Sequence, residues 1–148
     1  MRTPLNDADR RLIEAASELL VRVHDADLHR VAAAARGASG EIHLGLSLRS
    51  SRVMVCAESS ALANARIAGE ETIETMVSVG LRADGTATVV NPCGVCRELV
   101  PAVAPGIRTI ADDHGHVVSV AADDLLPMPW VRARSYDEAE AHPMHRAR

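Results

Sequence analysis

Apolar segments of two different periods take turns along this chain, and that alternation is what most constrains its fold. Leu12, Ala16, Leu19 and Val23 fall on one face at helical spacing, with Asn6 or Thr3 placed to cap the segment. Leu28 to Arg36 and Glu41 to Leu48 read as strands joined by the tight turn "GASG". An alanine-rich stretch from Glu58 to Ala68 stops at Gly69, as a helix does. Thr72 to Leu81 reads as a strand, "RADG" as a turn, and Thr86 to Val90 as a short strand or loop. A second short helix is expected from Cys93 to about Val103, where Pro105 and Gly106 end it. Ile107 to Ala111 and Val117 to Val120 supply two further strands around "DDHG", and "AADDLL" a helical turn. Strands that alternate with helices must be covered by them. The expectation is a layered α/β or α+β domain with one sheet of about five strands.

At 148 residues the chain is long enough for one domain with a proper core. Residues 1–131 are expected to form it, and 132–148, charged and poor in large apolar groups, a C-terminal tail. No apolar run approaches the length that spans a bilayer, and "MRTPLNDADRR" lacks the apolar stretch of a secretory leader. A soluble, cytoplasmic protein with no membrane partner is expected. The formal net charge of -4 gives no electrostatic footprint for nucleic acid. Phenylalanine is absent, which leaves only Trp130 and Tyr136 as large rings for stacking on single strands. Nucleic acid is therefore not an expected partner.

Three cysteines carry the chemistry. Cys93 and Cys96 stand three apart in "NPCGVCREL", and Cys56 lies in "VMVCAESSALANARIAGE". Both groups fall where a loop or strand passes into a helix, where backbone N–H groups and the helix dipole favour thiolates. A Cys93–Cys96 disulfide suits an intracellular chain poorly and leaves a third cysteine over. A thioredoxin-like pair usually has an aromatic neighbour, and here the neighbours are Pro92 and Arg97. The remaining reading is a zinc site, with C-x₂-C at a helix start as one half and Cys56 as a third ligand. A fourth protein ligand is not evident, since His114 and His116 lie in an expected turn and His142 and His145 in the tail. Three ligands leave one position open to water, the arrangement catalytic zinc uses. Glu58, two residues after Cys56, could flank the metal without ligating it and move protons for a zinc-bound water. Its plainer role, a favourable charge in a first helical turn, is the weaker reading beside three cysteines.

Cys56-Ala57-Glu58 followed by Pro92-Cys93-Gly94-Val95-Cys96-Arg97-Glu98 resembles the zinc-dependent cytidine deaminases, in the branch that includes cytidine deaminase and blasticidin S deaminase. A cysteine in the first ligand position is what tilts the resemblance toward free nucleosides. Weaker similarity runs from "HRVAAAARGASGEIHLGL" through "DDLLP", so that most of residues 8–130 is covered. The resemblance implies a three-layer cytidine-deaminase-like fold with a mixed five-stranded sheet flanked by helices. It further implies a homo-oligomer, a tetramer or else a dimer, with sites at subunit borders. Cys56, Cys93 and Cys96 would ligate zinc, Glu58 would be the proton shuttle, and zinc-bound hydroxide would attack the carbon bearing the amine. The backbone carbonyl of Asn91 would receive the leaving ammonia, Arg97 would point at the thiolates, and Ala57 would lie against the substrate. Trp130 falls near a region that closes over substrate in such enzymes.

The chain departs from the family where relatives hold the ribose with an asparagine and often a glutamate two residues on. Here Ser47 and Arg49 stand at those positions. The substrate is thus a nucleoside-like small molecule whose identity stays open between cytidine, a modified nucleoside, a nucleoside antibiotic and another aminated heterocycle. A zinc-stabilised binding protein without turnover is the alternative, and the intact Glu58 argues against it.

Overall fold

The structure is a computed structural model and describes residues 1–130. The first helix, α1 (Asp7–Val23), begins at Asn6, whose side chain accepts the Asp9 amide at 2.9 Å while the Asp9 carboxylate accepts the Asn6 amide at 3.2 Å. This reciprocal capping satisfies two helix-start donors that would otherwise lack partners. Leu12, Ala16 and Leu20 form the fully buried stripe, and Val23 reaches only its edge. The next strand starts three residues later than its composition suggests. The Asp25 side chain accepts the amides of Asp27 and Leu28 at 2.8 and 2.9 Å, and this turn delays the extended chain until Val31.

Strands β1 (Val31–Gly37) and β2 (Ile42–Leu46) form the expected hairpin, with Ala32 opposite Leu46 and Arg36 opposite Ile42. The segment expected as one strand to Leu48 then divides. A two-stranded ribbon of β3 (Leu48–Arg49) and β4 (Met54–Val55) follows and leads directly into α2 (Ala57–Ile67). α2 ends at Gly69 in the left-handed region (φ 93°), with the Gly69 amide on the Arg66 carbonyl and the Glu70 amide on the Ala65 carbonyl. Then come β5 (Ile73–Leu81), β6 (Ala87–Val89), α3 (Gly94–Val103), β7 (Arg108–Asp113), β8 (His116–Ala121) and a 3₁₀ turn over Ala122–Leu125.

The sheet runs β2-β1-β5-β7-β8, with β6 also on β5. It is mixed, because β7 is parallel to β5 while the other pairs are antiparallel. β7 pairs with Thr75–Val77 and β6 with Val79–Leu81, so the two share one lane beside β5. Six strands thus occupy five lanes, close to the five strands expected. α1 covers one face in a core with Ala32, Ala34, Val77, Val79 and Ile110. α2 and α3 cover the other with Ala33, Ala35, Ile73, Met76 and Ile107. Four consecutive alanines in β1 present almost no relief on either face, so the helix backbones can settle close to the sheet.

That closeness has a specific contact. A Cβ built on Gly45 in β2 would lie 2.3 Å from the Ala57 carbonyl oxygen and 2.2 Å from the Ala61 amide nitrogen, both backbone atoms of α2. Gly45→Ala should therefore push α2 outward. It should lower the free energy of unfolding in urea by about 1–3 kcal/mol, the usual cost of overpacking. An unchanged denaturation midpoint would show that α2 does not rest on β2 in this way.

Candidate metal centre and active site

Cys56 and Cys93 occupy equivalent places: each is the N-cap of its helix, extended (φ -70°, ψ 147° and φ -67°, ψ 171°), with no capping hydrogen bond from its side chain. Serine or aspartate would use its oxygen there to satisfy the first turn. Cys96 sits in the first turn of α3 and is buried. The sulfurs of Cys56, Cys93 and Cys96 lie within 4.8 Å of one another, and Cys56 Sγ and Cys93 Sγ are 3.6 Å apart. Tetrahedral thiolate ligands ~2.3 Å from one zinc ion are about 3.8 Å apart, so the cluster is the right size for such an ion. No histidine belongs to it among the described residues. His114 stands in the β7–β8 turn, His116 opens β8, and His142 and His145 fall outside the described residues.

The three thiols differ. Burial raises the pKa of Cys56, and the charge of Glu58 adds to the rise. Burial also pushes Cys96 far up, again with Glu58 contributing. For Cys93 burial acts in the same sense, but the Cys96 and Val95 amides and the neighbouring thiols more than reverse it, and the net shift is downward. A dication among the sulfurs would oppose every upward shift, because it stabilises thiolates and compensates the carboxylate charge.

Glu58, in the first turn of α2, is 5% exposed. Among the described residues its carboxylate has no hydrogen-bond or ion-pair partner. Buried carboxylates are normally paired, so Glu58 is a candidate functional group beside the three sulfurs. Glu70 makes the contrast. It is also buried, but accepts hydrogen bonds from the Ser39 hydroxyl, the Ser39 amide and, at 3.2 Å, His43 Nε2. These bonds lock the β1–β2 turn against the end of α2.

The other expected residues are placed unevenly. Ala57 is wholly buried beneath Gly45, so only its backbone could face a ligand. The Asn91 side chain donates to the Asp112 carbonyl at 2.9 Å and accepts the Asp112 amide at 2.8 Å, pinning the segment between β6 and Cys93 to β7. Arg97, expected to point at the thiolates, is anchored to backbone carbonyls. Its Nε donates to the Pro92 carbonyl at 3.0 Å and its Nη1 to the Leu125 carbonyl at 3.4 Å, and none of its described hydrogen bonds reaches a cysteine. It braces the start of α3 against the 3₁₀ turn. Ser47 ends the hairpin, with Oγ accepting the amides of Arg30 and Val31. Arg49 is exposed on β3, and Trp130 is 69% exposed at the end of the described chain. Sequence reasoning missed Gly45, and also Arg66, which donates to the carbonyls of Glu70, Glu71 and Val103 and ties the far ends of α2 and α3 together. A lone glycine in an apolar strand was the only signal for the first.

No family model matches the chain. It is 31% identical over 134 residues to Blasticidin-S deaminase of Bacillus cereus, covering 86% of this chain and 96% of that protein. Its fold matches cytidine deaminase from Bacillus anthracis with TM-score 0.71 and 18% identity, covering 91% of this chain and 97% of that one. It also matches cytidine deaminase from Burkholderia pseudomallei, with TM-score 0.67 and 25% identity over 85% of this chain and all of that one.

The cluster geometry generates a direct test. Metal-free protein titrated with Zn²⁺ should bind about one ion per chain and melt at a higher temperature, because site closure and folding are coupled. Cys93→Ser and Cys96→Ser should each lose tight binding and that thermal shift. Full stoichiometry in either variant would remove that cysteine from the site.

Proposed function

Because the chain belongs to the cytidine deaminase family, in the branch of Blasticidin-S deaminase, we propose that it is a zinc-dependent hydrolytic deaminase of a cytosine nucleoside or a related aminated heterocycle. The observation that carries this reading is the convergence of three sulfurs at two helix starts with Glu58, 5% exposed, close enough for its charge to act on Cys56 and Cys96.

Cys56, Cys93 and Cys96 would hold the metal. Zinc there would supply Lewis acidity, lowering the pKa of a water that enters its open fourth position. Three thiolates leave the site with net charge near -1, which weakens that effect, and the N-termini of α2 and α3 withdraw some of the excess charge. Glu58 accepts the proton the water loses. As the water oxygen bonds to the aminated carbon, Glu58 passes that proton to the adjacent ring nitrogen; it then moves the remaining proton of the added hydroxyl to the exocyclic amine, and the C–N bond breaks. Ammonia leaves and a carbonyl remains. Asn91, clamped to Asp112 by its side chain, presents its backbone carbonyl to the departing ammonia. Ala57 contributes its backbone at the floor of the site. Arg97 acts as a positioning residue, holding the Pro92 peptide that precedes Cys93.

The partner is a small nucleoside-like molecule, and no helix among the described residues is long and apolar enough to cross a membrane. Leu48, Val53, Met54, Met128 and Trp130 are all exposed. These exposed apolar side chains, on the ribbon and at residues 128 and 130, support a homo-oligomer in which a second copy covers them.

Glu58→Gln keeps the shape of the side chain and removes its basicity. It should retain zinc and lose ~10²–10⁴-fold in ammonia release from cytidine, deoxycytidine or blasticidin S. Turnover close to wild type would assign the proton transfers to another group. Zinc-loaded wild type that releases no ammonia from any of these would favour a binding protein. Trp130→Ala should raise KM if the ring closes over substrate, whereas a lower melting temperature with unchanged kinetics would give it a packing role.

A further inference from the structure

We propose that Arg49 makes this site selective for substrates carrying an anionic group, a carboxylate or a phosphate, on the sugar side of the aminated heterocycle. The inference rests on the deaminase reading above and adds the class of substrate.

Pairing within the ribbon places the side chain. Arg49 lies opposite Met54, and Leu48 opposite Val55. Side chains alternate along a strand, so Arg49 and Met54 share one face and Leu48 and Val55 the other. Cys56 continues β4 with extended backbone (φ -70°, ψ 147°), which returns its side chain to the face of Met54. Arg49 is thus carried on the same side of the ribbon as a sulfur of the cluster. Met54 and that cysteine are two positions, about 7 Å of strand, apart.

The hydrogen-bonding character of this edge then limits what can bind. Ser47 Oγ already accepts the amide of Arg30 at 3.1 Å and the amide of Val31 at 3.0 Å. Both acceptor positions of the hydroxyl are committed, and only its proton is left to offer. Arg49 is exposed, has no ion-pair or hydrogen-bond partner among the described residues, and can only donate. Arg52, exposed in the turn that joins the ribbon strands, adds a second cation. The edge therefore presents donors and positive charge. A pair of sugar hydroxyls can accept from these donors but brings no charge to meet the two cations. A carboxylate or phosphate matches, because guanidinium can grip two of its oxygens at once. Glu58, a carboxylate of the site, is buried beside the sulfurs and leaves this edge uncompensated.

The experiment uses the zinc-loaded full chain and its Arg49→Ala, Arg49→Gln and Arg49→Lys variants. Calorimetry measures binding of uridine, uridine 5′-carboxylate and uridine 5′-phosphate, which as product analogues are not turned over. Ammonia release gives kcat/KM for cytidine and its 5′-carboxylate and 5′-phosphate. Wild type should favour at least one anionic form by ~10–100-fold, the range of a hydrogen bond to a charged group. Which anion wins distinguishes a carboxylate from a phosphate ligand. Arg49→Ala and Arg49→Gln should bring the anionic-to-neutral ratio close to one, and Arg49→Lys, which keeps charge without the planar fork, should restore part of it. Wild type that prefers the neutral forms, or a ratio unchanged in Arg49→Ala, overturns the proposal. A change of oligomeric state with the ratio intact overturns it too, by making Arg49 a contact between copies. Anion binding that depends on Arg49 with no ammonia from any nucleoside would keep this assignment and refute the deaminase reading.

Discussion

Two helix N-termini meet where the central strand exchanges neighbours. β5 pairs with β7 up to Val77 and with β6 from Val79 onward. At that change of partner the chain leaves β6, is clamped to Asp112 through Asn91, and enters α3 at Cys93. α2 arrives from the ribbon on the same face of the sheet with Cys56 at its start. Each helix gives its cap position to a residue that makes no capping hydrogen bond, a loss of about 1 kcal/mol apiece relative to serine or aspartate. The sulfurs are free to face one another instead. A bound cation restores more than both caps would have supplied, because metal–thiolate closure is worth about 10–16 kcal/mol in small structural zinc sites.

The shallow relief of the sheet is what allows this meeting to be tight. Alanines in β1 and the missing side chain at Gly45 let α2 lie against β1 and β2, and the same contact carries Ala57 and Glu58 inward. Glu58 is covered to 5% exposure at the start of α2, next to the sulfurs. Stability alone would have placed an apolar residue there. Glu70, buried nearly as well, is held instead by three donors, from the Ser39 amide, the Ser39 hydroxyl and His43.

Arginine side chains divide the labour around this centre. Arg66 and Arg97 are committed to backbone carbonyls and hold α2, α3 and the 3₁₀ turn in register. Arg49 and Arg52 stand on the ribbon with their donors free among the described residues. The first pair builds the frame around the cysteines, and the second is left exposed to solvent. A guanidinium left in water costs the fold little and attracts anions over roughly a Debye length of ~8–10 Å.

The alternation of helical and strand periods was legible in the chain because it depends only on which face each side chain takes locally. The three helices, the hairpin and the central strand all lie close to where periodicity puts them. The three cysteines and Glu58 were legible as well, since their spacing from two helix starts is a local property. What periodicity could not show depends on contacts between distant segments. The turn at Asp25 postponed β1, a ribbon of two-residue strands is too short to have a period, and Arg97 found the Leu125 carbonyl, 28 residues away. The close seat of α2 on Gly45 was equally invisible, because a missing side chain says nothing about what fills its place. By itself, then, the sequence determined the elements and the inventory of reactive groups, through side-chain period and helix-start chemistry. Only the tertiary structure decided that three sulfurs share one point and that Glu58 is almost wholly covered, because burial and convergence arise from packing segments that are far apart in the chain.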